Sequence, residues 1–284
     1  MRVPIIFMII AGSALLVFSI SGCYLIQQGV SLLRWQLKAQ PVSLLLADEQ
    51  TPEDTREFLL EVRAVRDFAE QEIGLEPSRH YTTYVEIERS YLLALVSAAE
   101  SLSLTPYTWR FPLVGSVPYK GYFQPDHARR EARRLEARGY DTWISAVNAF
   151  SSLDILTDPL YSFMEHYSIY RLADLIIHEL VHSTVWVKGH ASFNEQLAMF
   201  IGQEGARKYV ARRFGTDSPE YRNITLAEAD QRQFRNQISL LRRELEGLFS
   251  QTDMDEQAME MRKQEIYAAF QQRMEDEYDD LFLT

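Results

Sequence analysis

The chain is predicted to fold as an α+β protein, with a small sheet before residue 150 and a mainly helical half that ends in a C-terminal helical hairpin. Residues 81–150 are rich in β-branched and aromatic side chains and are punctuated by Pro106, Pro112, Gly115, Pro118 and Gly121. Beyond about residue 170 the apolar positions recur every three or four residues, the helical period. Cysteine occurs once, so an internal disulfide is excluded and stability has to come from a packed core. A chain of 284 residues is long enough for that, as one large domain or one domain with an appendage.

The first segment reads as an address. Arg2 precedes an apolar run over residues 5–20, followed by Ile20-Ser21-Gly22-Cys23. That run falls short of the ~20 residues that span a bilayer. A cleaved signal peptide over residues 1–22 therefore fits better than a transmembrane anchor, and Cys23 becomes the lipid-accepting N-terminus. The expected place is the bacterial cell envelope, lipid-anchored and facing the periplasm. Residue 24 is Tyr rather than Asp, which favours the outer membrane where two membranes exist.

Residues 23–50 form the predicted lipidated N-terminal segment, loosely helical, able to lie on the membrane or pack on the domain. Thr51 is read as the cap of a helix with Pro52 first and Glu53 and Asp54 in its first turn; Phe58, Val62, Val65, Phe68 and Ala69 make its stripe and Gly74 ends it. Residues 81–87, 92–99 and 140–150 read as strands. A helix opens at Asp126 and closes at Gly139. Its five arginines suggest a nucleic-acid patch, but Glu131 and Glu136 interleave and no aromatic stacking set accompanies them, so a solvated face is preferred.

From about residue 225 two helices follow, broken near Thr252-Asp253. Phe234, Ile238, Leu241, Leu245 and Leu248 share one face of the first, while residues 251–284 hold ten acidic and three basic side chains. Packing on the preceding domain is the plain reading, and a protein-binding appendage the sharper one. The net charge of −11 argues against nucleic acid and against electrostatic attachment to anionic lipid.

The chemistry sits at His178-Glu179-Leu180-Val181-His182, an HExxH pentad inside an apolar, helix-compatible run. Residues four apart share a helix face, so two imidazoles can take two corners of one zinc site while Glu179 reaches a metal-bound water. The bland alternative is an amphipathic core helix with two polar-face histidines. Against it stands Asn194-Glu195, a carboxylate opening a second helical run after a short connection containing Gly189. The metzincin pattern fails, because Val185 and Lys188 occupy the positions where it needs Gly and His. His190 is a rival third ligand, but it lies in a loop without helical support, so Glu195 is preferred. Two His and one Glu with an open fourth position is a catalytic arrangement; a structural or storage site would supply four protein ligands.

The neighbourhood resembles the bacterial "putative aminopeptidase" family, gluzincin-type zinc lipoproteins. The resemblance is carried by residues 111–115 and 118–123, Arg138-Gly139-Tyr140-Asp141, residues 149–153, Asp158-Pro159-Leu160, the pentad itself, and Phe193-Asn194-Glu195. It implies a zincin-like fold, one zinc ion on His178, His182 and Glu195, Glu179 as general base, and an aminopeptidase acting on peptides. The predicted organisation is then a catalytic domain over residues 51–215 and a helical appendage over 216–284.

In such a site the zinc would lower the pKa of its water toward ~7 and polarise the scissile carbonyl, while Glu179 takes the proton and passes it to the leaving amine. The donor for the oxyanion stays open among Tyr119, Tyr122, Tyr161, Tyr167, Tyr170 and His166. Asp174 is either an orienting group for His178 or a surface carboxylate, and Glu165 and Glu204 are available for a substrate α-amine. Residues 143–147 or 117–123 could hold an extended peptide by strand pairing. The alternative function is a non-catalytic envelope lipoprotein that uses its C-terminal helices for assembly, though such a scaffold has no need of Glu179.

Overall fold

The computed structural model describes residue 24 and residues 27–111, 115–147 and 157–283. Cys23, the segment before it and residues 149–153 lie outside the described residues. Along the chain come helix α1 (residues 27–38), β1 (Gln40–Pro41), α2 (Val42–Ala47), α3 (Glu53–Phe68), β2 (Thr83–Val85), β3 (Leu93–Glu100), β4 (Trp109–Phe111), β5 (Gly115–Val117), β6 (Lys120–Tyr122), α4 (Pro125–Glu136), β7 (Tyr140–Val147), β8 (Leu160–Tyr161), α5 (Ile169–Thr184), α6 (Ala191–Phe214), α7 (Pro219–Phe249) and α8 (Glu256–Asp276). The fold is α+β with small sheets and a helical C-terminal half, as the change of period predicts. Among the described residues no helix is long and apolar enough to cross a membrane. The chain divides into two compact units, one from residues 1–39, 89–101 and 105–150, the other from residues 40–88, 102–104 and 151–284.

The first unit is built on an antiparallel sheet in the order β6-β3-β7, so both candidate peptide-pairing strands are its edges. Ala94, Val96 and Ala98 alternate along one face of β3 and pack with Ala128, Ala132 and Leu135, the i, i+4, i+7 stripe of α4. Along α4, exposed Arg129 pairs with Asp126, and Arg134 with Glu131, whose carboxylate also accepts from Trp109 Nε1 at 2.8 Å. The N-terminal segment packs on this unit: the Tyr24 hydroxyl donates to Gly121 O at 2.7 Å, Phe123 N–H donates to Gln28 Oε1 at 3.0 Å, and Arg89 lies over Trp35. Val30, Leu33 and Leu37, on the other side of α1, are exposed.

The second unit carries the HExxH pentad. Its β1-β2-β8 sheet is mixed, antiparallel between β1 and β2 and parallel between β2 and β8. Helix α3 buries Phe58, Leu59, Val62 and Val65, and a π-helical turn, Ala69–Ile73, continues it to Gly74 at φ 84°. The expected cap is corrected here: Pro52 occupies the cap position, and the Thr51 hydroxyl donates instead to Leu45 O at 2.7 Å. The long pair α5 and α6 forms the centre, followed by the α7–α8 hairpin. Leu245, Leu248 and Met259 are buried in that hairpin, but Phe234 and Ile238 on the predicted stripe are exposed. Lys263, almost fully buried, is held by Glu260 at 2.7 Å.

Candidate metal centre

Helix α5 starts where Ser168 accepts from Arg171 N–H, and it buries Leu172, Ala173, Ile176, Ile177, Leu180 and Val181. That burial fixes its rotation, leaving His178 and His182 one turn apart on a neighbouring face. Their Nε2 atoms stand 3.2 Å apart. The Glu195 carboxylate closes the triangle, with Oε2 3.6 Å from His178 Nε2 and Oε1 3.5 Å from His182 Nε2. Among the described residues this is the cluster of potential ligands whose atoms all lie within 4.8 Å of one another.

The donor set fits zinc. Two atoms each bound at about 2.0–2.2 Å to a tetrahedral ion stand about 3.4 Å apart, close to all three separations seen here. Burial lowers the His178 pKa, with the neighbouring His182 adding to the effect and Glu195 opposing it, so its imidazole tends to the neutral, lone-pair form that a metal needs. His182 Nδ1 is buried with no hydrogen-bond partner among the described residues. Two rings pack against that imidazole in T-shaped contacts, His178 at 4.8 Å and Trp186 at 5.6 Å between centroids.

Glu195 is placed by its neighbour. Asn194 is 1% exposed; its Oδ1 accepts from Val187 N–H at 3.0 Å and its Nδ2 donates to Val187 O at 2.9 Å. One amide thus clamps both backbone groups of the connecting loop, which turns at Gly189 with φ 82°. His190, the rival ligand, stands instead at the start of α6, where its carbonyl accepts from Asn194 N–H at 3.0 Å. Farther along α6, Gly202 and Gly205 permit close approach to α5. A Cβ on Gly205 would meet Ile73 Cδ1 at 2.8 Å and Ile177 Cδ1 at 3.0 Å.

The other candidates separate. Burial raises the Asp174 carboxyl to about 6, and that group faces α6 at Gly202. Tyr170, raised to about 12, has burial as its main cause and Asp174 as its next. Glu165 is already engaged, accepting from Tyr84 at 2.6 Å and from Thr55 at 3.1 Å, and Glu204 is paired with Arg207 at 3.9 Å. Tyr119 and Tyr122 belong to the first unit, at the sheet. Tyr161 stacks on Phe163, and Arg171 sits over Tyr167 at 4.0 Å.

One residue escaped the sequence reading. Tyr81, taken for the start of a strand, has φ 58°, and among the described residues it is the non-glycine with positive φ. It is 5% exposed, and the strand begins two residues later. Holding a bulky residue in the left-handed region costs on the order of 1 kcal/mol, so the surroundings must enforce it.

The sequence profile of a family described as "Putative aminopeptidase" matches residues 23–282. The chain belongs to that family. No curated protein and no solved structure matches it. Membership makes peptidase action plausible for this aminopeptidase-family chain, and the matched span runs through both compact units and includes the His178, His182 and Glu195 cluster.

Proposed function

We propose that this member of the family is a zinc-dependent aminopeptidase with a zincin-like catalytic centre. The observation that carries the reading is the convergence of His178 Nε2, His182 Nε2 and the Glu195 carboxylate on one point. Glu179, the residue after the first histidine, follows it along the same helix. His178, His182 and Glu195 would hold the ion. When bound, zinc supplies Lewis-acid polarisation of a peptide carbonyl and makes water nucleophilic near neutral pH. Glu179 accepts the proton that the attacking water gives up and delivers it to the departing amine. The half-exposed Glu195 and the exposed Trp186 leave this side of the pair accessible to a peptide.

We further propose attachment to the bacterial cell envelope through lipid on Cys23, with the protein facing the periplasm. The support is the short apolar run and the lipobox of the sequence.

The decisive experiment measures metal content beside hydrolysis of a fluorogenic panel of aminoacyl and N-blocked peptides. One zinc per chain with cleavage confined to free N-termini supports the aminopeptidase reading. Cleavage of blocked peptides would make the protein an endopeptidase. Full zinc with no turnover on either class would favour the non-catalytic scaffold.

A further inference from the structure

We infer, resting on the peptidase reading, that Trp186 sets substrate specificity: its indole is the wall that seats a large apolar side chain flanking the scissile bond. The indole meets the His182 imidazole in a T-shaped contact, 5.6 Å between centroids and 69° between planes. His182 Nε2 is in turn 3.5 Å from Glu195 Oε1 and 3.2 Å from His178 Nε2. Trp186 thus stands one ring away from the point on which the three candidate ligands converge.

The loop holds the indole from both sides. Val185 N–H donates to Val181 O at 2.8 Å, finishing the last turn of α5. Val187 N–H donates to Asn194 Oδ1 at 3.0 Å, and Val187 O accepts from Asn194 Nδ2 at 2.9 Å and from His190 N–H at 3.2 Å. Trp186 immediately precedes Val187, and Asn194 immediately precedes Glu195. The buried Asn194 amide therefore fixes the indole and the candidate ligand Glu195 relative to one another. A platform already ordered before binding loses little freedom when a ligand side chain settles on it.

Packing on His182 does not use up the ring. Trp186 is 54% exposed, and Val185 and Val187, its chain neighbours, are exposed as well. Indole offers a large apolar area, so an aromatic or branched side chain laid on it leaves water and gains contact. A glycine gains nothing there, and a carboxylate would lose hydration without a partner. The rival role is purely structural: an indole that only steadies the His182 ring, whose Nδ1 has no hydrogen-bond partner among the described residues. That role would show in zinc affinity and would slow every substrate alike.

The test uses the zinc-loaded full-length protein and two sets of probes. One is a panel of free-N-terminus peptides varied on either side of the cleaved bond. The other is the hydroxamates of phenylalanine, leucine, arginine and glycine, which bind zinc without being cleaved. Wild type should favour phenylalanine or leucine over glycine at one of the two positions by roughly 10–100-fold in kcat/KM, and the hydroxamates should bind in the same order. Trp186→Ala should lose at least about tenfold on the apolar members, mainly through KM, but less than about threefold on the glycine ones, and should keep its zinc. Trp186→Phe should restore most of the preference. A flat wild-type profile, a preference that survives Trp186→Ala, or equal losses on all members with weakened zinc would each overturn the proposal. A wild-type preference for arginine would overturn it too, by replacing apolar packing with cation–π attraction. Wild type that binds the hydroxamates but cleaves no peptide would sink the peptidase reading alone. The hydroxamate series then decides the matter: an apolar preference abolished in Trp186→Ala supports the wall, and one left intact removes it.

Discussion

Asp174 occupies the space that a side chain at position 202 would need: a Cβ on Gly202 would stand 2.6 Å from Asp174 Oδ1 and 3.3 Å from His178 Cβ. The distance between α5 and α6, and with it the reach of Glu195 to the two histidines, depends on that missing carbon. Gly202→Ala should therefore separate the helices, weaken zinc binding and cost about 1–3 kcal/mol, the usual range for overpacking. Thermal melts with and without zinc, beside a competitive zinc titration, would check it. Unchanged affinity would mean that Asp174 simply rotates away.

The Asp174 carboxyl predicts a pH effect. Its folded pKa of about 6 lies above the ordinary 3.8, and burial is the cause. The folded chain thus holds a proton that the unfolded chain has released. The contribution is fully present below about pH 3.8 and lost as pH rises through about 6. Asp174→Asn should match wild type near pH 4 and melt higher above pH 7. The group is partly open to solvent and has Tyr170 as a neighbour, with Glu204, Glu228 and Arg207 around that phenol, so only the sign is predicted. A melting difference independent of pH would refute it.

The ligands and the base should part company under mutation. His178→Ala, His182→Ala or Glu195→Ala each removes one of three protein ligands and should lose zinc. Glu179→Gln keeps all three, so zinc should stay while hydrolysis falls by roughly 10²–10⁴-fold. Zinc stoichiometry on the four variants decides it. Retention in Glu195→Ala with loss in His190→Ala would move the third ligand to His190.

Much of this was legible because it is local. The pentad, its apolar flank and the nearby Asn194-Glu195 pair depend on helical spacing and a short loop, which a sequence displays directly. The β3 and β7 strands and the α4 helix likewise follow from period and punctuation. Thr51 was misread because a hydroxyl before a helix looks the same whether it caps the helix or, as here, donates to Leu45 O. Tyr81 was hidden for a deeper reason. The segment before it is held by distant groups, His80 by Asp158 and Ser78 by Ser183, and no local pattern encodes partners 78 or 105 positions apart. A β-branched and aromatic run simply looked like strand.

The proposed lipid on Cys23 has a direct test. Cys23→Ser should release the protein from membranes or stall its processing, read by fractionation and intact mass. An unmodified Cys23 in a mature, membrane-bound chain would sink the idea. Val30, Leu33 and Leu37, exposed on α1, would then be the apolar groups left to examine for membrane contact.

The amide clamp of Asn194 on Val187 has a kinetic consequence. The three side chains of the candidate cluster, His178, His182 and Glu195, lie on two helices joined by one short loop. Assembling them requires closure of a small loop rather than docking of distant strands, so the hairpin has the low contact order of fast-forming structure.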